Sequence, residues 1–182
     1  MMNSGKKSLK LIDDFLESAR KEASEMQFQF NPIDFSCLIK EVVAANQMLA
    51  DKKHQKIQLN IEASPMVLAD ERKLFEIADN LINNAIKYSP ENKNIFITVK
   101  QCNLHVILEV HDEGPGFTDE EKTHLFQPFS RLSAKPTGGE IATGLGLSIV
   151  KTLVEAHRGK VLAESAGKEK GSRFSVEIPV IK

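Results

Sequence analysis

A chain of 182 residues, 41% of them hydrophobic, can bury one sizeable core with an appended element but not several domains. Its 24 Lys and Arg against 25 Asp and Glu leave a net charge of −1, which excludes the strongly basic surface needed to track nucleic-acid phosphates. Only Cys37 and Cys102 occur, without metal-type spacing, and neither a membrane-spanning apolar run nor a signal peptide is present, so a reducing, cytoplasmic setting is expected. Any membrane anchor of a parent protein is expected to lie outside this sequence.

Residues 1–7 read as a polar leader. Leu9, Ile12, Leu16, Ala19, Ala23 and Met26 then alternate steps of three and four, the seam of a coiled coil just over two heptads long, with acids and bases between. Such a helix needs a partner: a second copy of the chain, giving a homodimer through residues 9–26, or its own domain. Phe28 and Phe30 alternate with polar residues, and Asn31-Pro32 breaks the pattern and marks a domain boundary. Asp34 or Ser36 then caps a helix with Leu38, Val42, Ala45 and Leu49 on one stripe, closed by the charged run 51–56. Ile57, Leu59 and Ile61 predict a half-buried strand, and 66–69 a second.

Asp70 caps the stretch on which the chain turns, E-I-A-D-N-L-I-N-N-A-I-K-Y-S from Glu76 to Ser89. Leu74, Ile77, Leu81, Ala85 and Tyr88 form the apolar stripe of a helix. Directly beside that stripe, rather than opposite it, run Glu76, Asn80, Asn84 and Lys87. Asparagine side chains compete for helix backbone groups, so those at 80, 83 and 84 cost helix stability. Two readings stand: a solvated helix shoulder, or a ligand whose metal and phosphates take amide oxygens from Asn80 and Asn84 and a cation from Lys87.

A strand pair follows, 95–99 and 106–110. Asp112 keeps the inward parity of Val106, Leu108 and Val110, a costly place for a carboxylate unless it receives hydrogen bonds. Gly114-Pro115-Gly116 brings the backbone close behind it. An inward acid beside such a turn suits the exocyclic amine of adenine; a plain structural turn has the same composition. Thr118 and Glu121 form a capping box opening a short helix to about Leu125. Phe126, Pro128 and Phe129 anchor the polar stretch 130–143, with Arg131, Lys135 and Gly138-Gly139, which has the build of a mobile lid or of an ordinary surface loop. It closes on Thr143-Gly144-Leu145-Gly146-Leu147, where glycines open a helix and leave amides for phosphate. Neither the common phosphate-binding loop nor the dinucleotide fingerprint occurs. Residues 161–165 and 173–178 predict a final hairpin.

In this order, N-L-I-N-N-A-I-K-Y-S-P, D-E-G-P-G-F, F-Q-P-F, T-G-L-G-L-S-I-V-K and G-S-R-F-S-V resemble the ATP-binding catalytic domain of sensor histidine kinases, in the wider ATPase family of heat-shock chaperones, type II topoisomerases and mismatch-repair proteins. L-I-D-D-F-L-E-S-A-R-K-E-A upstream resembles the last helix of the kinase dimerisation hairpin. The resemblance implies an α+β fold, a two-layer sandwich whose mixed, mostly antiparallel sheet is covered on one face by about three helices (the Bergerat fold), after an N-terminal coiled-coil-type helix. It divides the chain into 1–30, leader and dimerisation helix, and 31–182, catalytic domain.

It also implies the site. Asn80 and Asn84 would hold Mg²⁺ on ATP, Lys87 and Tyr88 would meet the phosphates, and Asp112 would accept from adenine, lined by Gly114, Gly116 and Phe117. Phe129, Arg131 and Lys135 belong to the lid, whose cations would approach the γ-phosphate. Amides from Thr143, Gly144, Leu145, Gly146 and Leu147 would cradle the phosphates, and Ser172 would support the base through water. Glu76 and Asn80 are the catalytic candidates, Glu76 polarising the acceptor imidazole.

The sequence departs from the family pattern at Glu113 and Phe117, where Asn and a branched aliphatic are usual. None of His54, His105, His111, His124 and His157 has the context of a phosphoacceptor, so the chain reads as a fragment that binds ATP without its own substrate. The implied partners are the dimerisation and phosphoacceptor domain of the parent kinase and a downstream response regulator. Two alternatives are a non-catalytic nucleotide-binding regulatory module, favoured by Glu113, and an anti-sigma-type serine kinase.

Overall fold

The computed structural model describes residues 28–130, 133–139 and 143–181. The predicted helix over 9–26 lies outside the described residues, as does Arg131. Eleven elements follow in order: β1 (Asn31–Asp34), α1 (Phe35–Lys52), β2 (Lys56–Ile61), β3 (Met66–Ala69), α2 (Glu71–Tyr88), β4 (Asn94–Cys102), β5 (His105–Asp112), α3 (Asp119–Lys122), α4 (Gly146–Ala156), β6 (Lys160–Glu164) and β7 (Ser172–Pro179).

Five strands form one sheet in the order β2-β4-β5-β7-β6. Only β2 and β4 run parallel, because α2 crosses between them; the other pairings are antiparallel. Alternation sets the faces. Ile95, Ile97 and Val99 of β4 and Val106, Leu108 and Val110 of β5 are fully buried under the helices. On the open face, Phe96 stacks on His111 at 5.7 Å. The helical layer is α1, α2 and α4, with α2 in the middle packing on both others. This is the expected two-layer α+β architecture.

Local chemistry explains the element ends. Asp34 caps α1, its Oδ1 accepting from Ser36 N and Cys37 N, so the first of the two candidate caps is the one used. Asp70 caps α2 through Lys73 N, and the Thr118–Glu121 capping box opens α3 with both reciprocal bonds made. That last helix is one turn, shorter than its pattern suggested.

The stretch at Asn31-Pro32, expected as a break, is instead the edge strand β1 paired with β3. A proline is tolerated on such an edge because its missing N–H faces no partner. Nor is residue 30 a clean end to the packed structure. Phe28 and Phe30 lie against the His157 ring at 5.6 and 5.3 Å, and Gln29 N donates to Asp70 Oδ2. No helix among the described residues is long and apolar enough to cross a membrane.

Candidate active site

The middle helix, the end of β5 and the start of α4 converge on a cavity of about 450 Å³. Asn84, Asp112 and Gly146, drawn from three distant parts of the chain, all line it. So do Asn80, Lys87, Tyr88, Gly116, Phe117, Thr143, Gly144, Leu145, Leu147 and Ser172.

On α2, the buried face is wider than the predicted stripe. Ala78, Ile82 and Ile86 join Leu74, Ile77, Leu81 and Ala85 in the core, while Tyr88 is half-buried on the cavity wall. The core columns rotate the Asn shoulder onto the cavity. Asn80 Nδ2 donates to Glu76 O at 2.8 Å, which fixes the carboxamide and turns Oδ1 toward α4. A Cβ added at Gly146 would stand 2.8 Å from that Oδ1, so any other residue there must displace the Asn80 carboxamide.

The first turn of α4 has no side-chain cap, although the helix is preceded by Thr143 and carries Ser148. Ser148 Oγ donates backwards to Leu145 O instead. Thr143, Gly144, Leu145, Gly146 and Leu147 line the cavity at the positive pole of the helix dipole, a place suited to an anion, with Leu145 N donating to Thr143 Oγ1 at 3.4 Å.

Opposite that pole, Asp112 is 3% exposed at the end of β5. Its Oδ1 accepts from Gly114 N at 2.8 Å, and the Ser172 backbone also hydrogen-bonds it. Burial outweighs these donors and pushes its pKa up to about 6. Gly114 stands behind the acid, where a Cβ would lie 2.6 Å from Asp112 Oδ1, and is absent from the cavity wall. Phe117, 4% exposed, floors the same end with Phe174, their rings 6.2 Å apart.

Three other expected site residues stand outside the cavity wall. Glu76 pairs with Lys73 at 3.0 Å, partly exposed, one turn before Asn80. Phe129 is 44% exposed at φ +59°, its backbone packed under Gly144. Lys135 is exposed on the segment 133–139.

Conversely, Asp79 and Asn83 line the cavity without having been assigned to it. Asp79 faces α1, where Asn46 Nδ2 donates to its Oδ1 at 2.7 Å. Their signal was present in the helix, but facing residues of α1 were needed to place it. Glu113, the departure that favoured a non-catalytic module, turns away from the cavity. Its Oε2 accepts from Asn94 N and Nδ2 at 2.7 and 3.1 Å, and the Asn94 backbone bond holds its pKa down. It pins the start of β4 and is absent from the cavity wall.

Residues 69–182 match the family described as histidine kinase-, DNA gyrase B- and HSP90-like ATPases, and the chain belongs to that family. Within it, the relatives are histidine kinases. The chain is 32% identical over 180 residues to the circadian input-output histidine kinase CikA of Synechococcus elongatus, covering 97% of this chain and 24% of CikA. It is 31% identical over 176 residues to the adaptive-response sensory kinase SasA of a Synechocystis species, covering 95% of this chain and 45% of SasA. It thus spans less than half of either protein. Among solved structures, the catalytic domain of histidine kinase ThkA superposes with a TM-score of 0.73 at 30% identity, covering 84% of this chain and 96% of that one. Full-length ShkA in complex with AMPPNP gives a TM-score of 0.78 at 28% identity, covering 98% of this chain and 37% of ShkA. The fold and the ATPase domain are those of histidine kinase catalytic domains.

Proposed function

We propose that the cavity binds Mg-ATP and that the chain transfers the γ-phosphoryl group to a histidine on a dimerisation hairpin, as the catalytic domain of a sensor histidine kinase. The observation that carries this reading is the single cavity shared by Asn80, Asn84, Asp112 and the uncapped start of α4. Asp112 accepts from the adenine amine, with Ser172 beside it reaching the base through water. Lys87, Tyr88 and the amides of residues 144–147 meet the phosphates, with Arg131 and Lys135 approaching the terminal one. Such a site works by positioning and by neutralising charge in transit.

The donor set fits Mg²⁺ only together with nucleotide. No group of three His, Cys, Asp or Glu capable of holding a metal occurs among the described residues. The fixed Oδ1 of Asn80 and the carboxamide of Asn84 offer one or two neutral oxygens, and a small hard cation completes its shell from phosphates and water. When bound, the ion neutralises phosphate charge. Glu76, outside the cavity wall, partly exposed and paired with Lys73, would polarise an incoming acceptor imidazole.

Residues 1–30 would then supply the end of the dimerisation helix, pairing through 9–26, and 31–182 the cytoplasmic catalytic domain, with a response regulator downstream. Incubating the chain with γ-labelled Mg-ATP and a histidine-bearing dimerisation hairpin tests this. Acid-labile label on the hairpin is expected; acid-stable label on a serine would favour the serine-kinase alternative, and no label on any cognate hairpin would refute transfer.

A further inference from the structure

Lys53, the C-cap of α1, is only 7% exposed, and its charge lies deep under the site helix. Its Nζ donates to Ile86 O at 2.7 Å and Lys87 O at 3.2 Å, among the last carbonyls of α2, where the helix dipole favours a cation. It also donates to Thr137 Oγ1 at 2.6 Å.

Thr137 belongs to the segment that borders the cavity. Its N–H donates to Lys87 O at 3.1 Å, and its hydroxyl, accepting from Lys53, lies 2.7 Å from Ser89 O, to which it donates. Four residues earlier, Ser133 N and Oγ donate to Glu121 Oε1 at 3.0 and 2.6 Å. Ala134, between these two fastenings, is part of the cavity wall. Lys87 and Tyr88, whose turn the clasp grips, are also part of it.

We propose that Lys53 and Thr137 form a clasp that positions the phosphate end of the nucleotide site. Neither lines the cavity. They act by holding the last turn of α2 and the 133–139 segment in register, so that Lys87, Tyr88 and the wall at Ala134 stand at fixed distance from the start of α4. Asp112 is held mainly by a different framework, the ends of β5 and β7, although Gly114 behind it also approaches the Tyr88 carbonyl. The inference rests on the nucleotide reading above and adds residues that no phosphate contact would reveal.

The test compares ATP with adenosine, which reaches only the Asp112 end, by calorimetry on the full chain. Thr137→Val removes the hydroxyl from an exposed, near-isosteric position and Lys53→Met removes the ammonium. Each is expected to weaken Mg-ATP about five- to tenfold, the scale of one lost ordinary hydrogen bond, while adenosine affinity stays within about twofold. Thr137→Ser restores ATP affinity, and the double variant is less than additive because both substitutions break one network. Wild-type ATP binding by Thr137→Val overturns the clasp, as does a parallel loss of ATP and adenosine in that variant. Asp112→Asn run alongside separates the two claims: if it leaves both ligands unaffected, the nucleotide reading falls and the clasp with it.

Discussion

The two ends of the cavity solve opposite problems. At one end a single carboxylate is buried at a strand terminus, and desolvation raises its pKa to about 6. At the other, carboxamides with Asp79 beside them on α2 and the uncapped start of α4 line the wall, and the cations proposed to meet phosphate, Lys87 and Lys135, stay partly or fully in solvent. Specificity for one hydrogen-bond donor comes from the costly group, because a buried polar atom left unpaired is penalised severely. Charge neutralisation comes from groups that are inexpensive to leave solvated. The base end should therefore show a trade between stability and binding that the phosphate end lacks.

Asp112→Asn should break that contrast most strongly. An amide presents a donor where the adenine amine needs an acceptor, so ATP affinity measured by calorimetry should fall about 100-fold, the loss of a charge-assisted bond plus an unpaired donor. Stability should move the other way. A carboxyl ordinary at 3.8 when unfolded and raised to about 6 when folded binds more protons in the folded state across that window. Folding stability therefore falls as pH rises through it, and above it the burial cost is complete, about 3 kcal/mol. Thermal melts at pH 7 should show the Asn variant at least as stable as the parent.

Gly146→Ala tests the phosphate end. The added methyl collides with Asn80 Oδ1 at 2.8 Å, while alanine is the better helix former. ATP affinity should drop about tenfold as the carboxamide is displaced, with the melting temperature unaltered or slightly raised. A variant that binds normally would detach Asn80 from the nucleotide.

A smaller effect sharpens the comparison through pH. Adenosine carries no titrating phosphate, so its affinity between pH 7 and pH 5.5 reports Asp112 alone. Protonation of a group at about 6 should weaken it about fourfold over that range. The slope should vanish in Asp112→Asn.

Much of this site is legible without coordinates because its parts are local. The Asn shoulder, the inward parity of Asp112 and the glycines opening α4 are each set by a helical or strand period that short stretches display. Lys53 shows why other parts are not. Its ammonium meets the α2 carbonyls and Thr137, residues 33 and 84 positions away, and a lysine in a charged run reads as solvated. Glu113 errs in the opposite direction: it looks anomalous in the motif, yet its partner is Asn94 across the sheet.

Pattern and order by themselves determined the two-layer fold, the family and most of the cavity wall, because periodicity decides which face of each element is buried. Tertiary structure decided what each wall residue faces. Gly114 serves the acid rather than the cavity, Asp79 and Asn83 join the wall, and Lys53 closes the end of a helix it does not belong to. Burial can be read from one element at a time, whereas a hydrogen bond or a close approach exists only between two, and the second is fixed by packing.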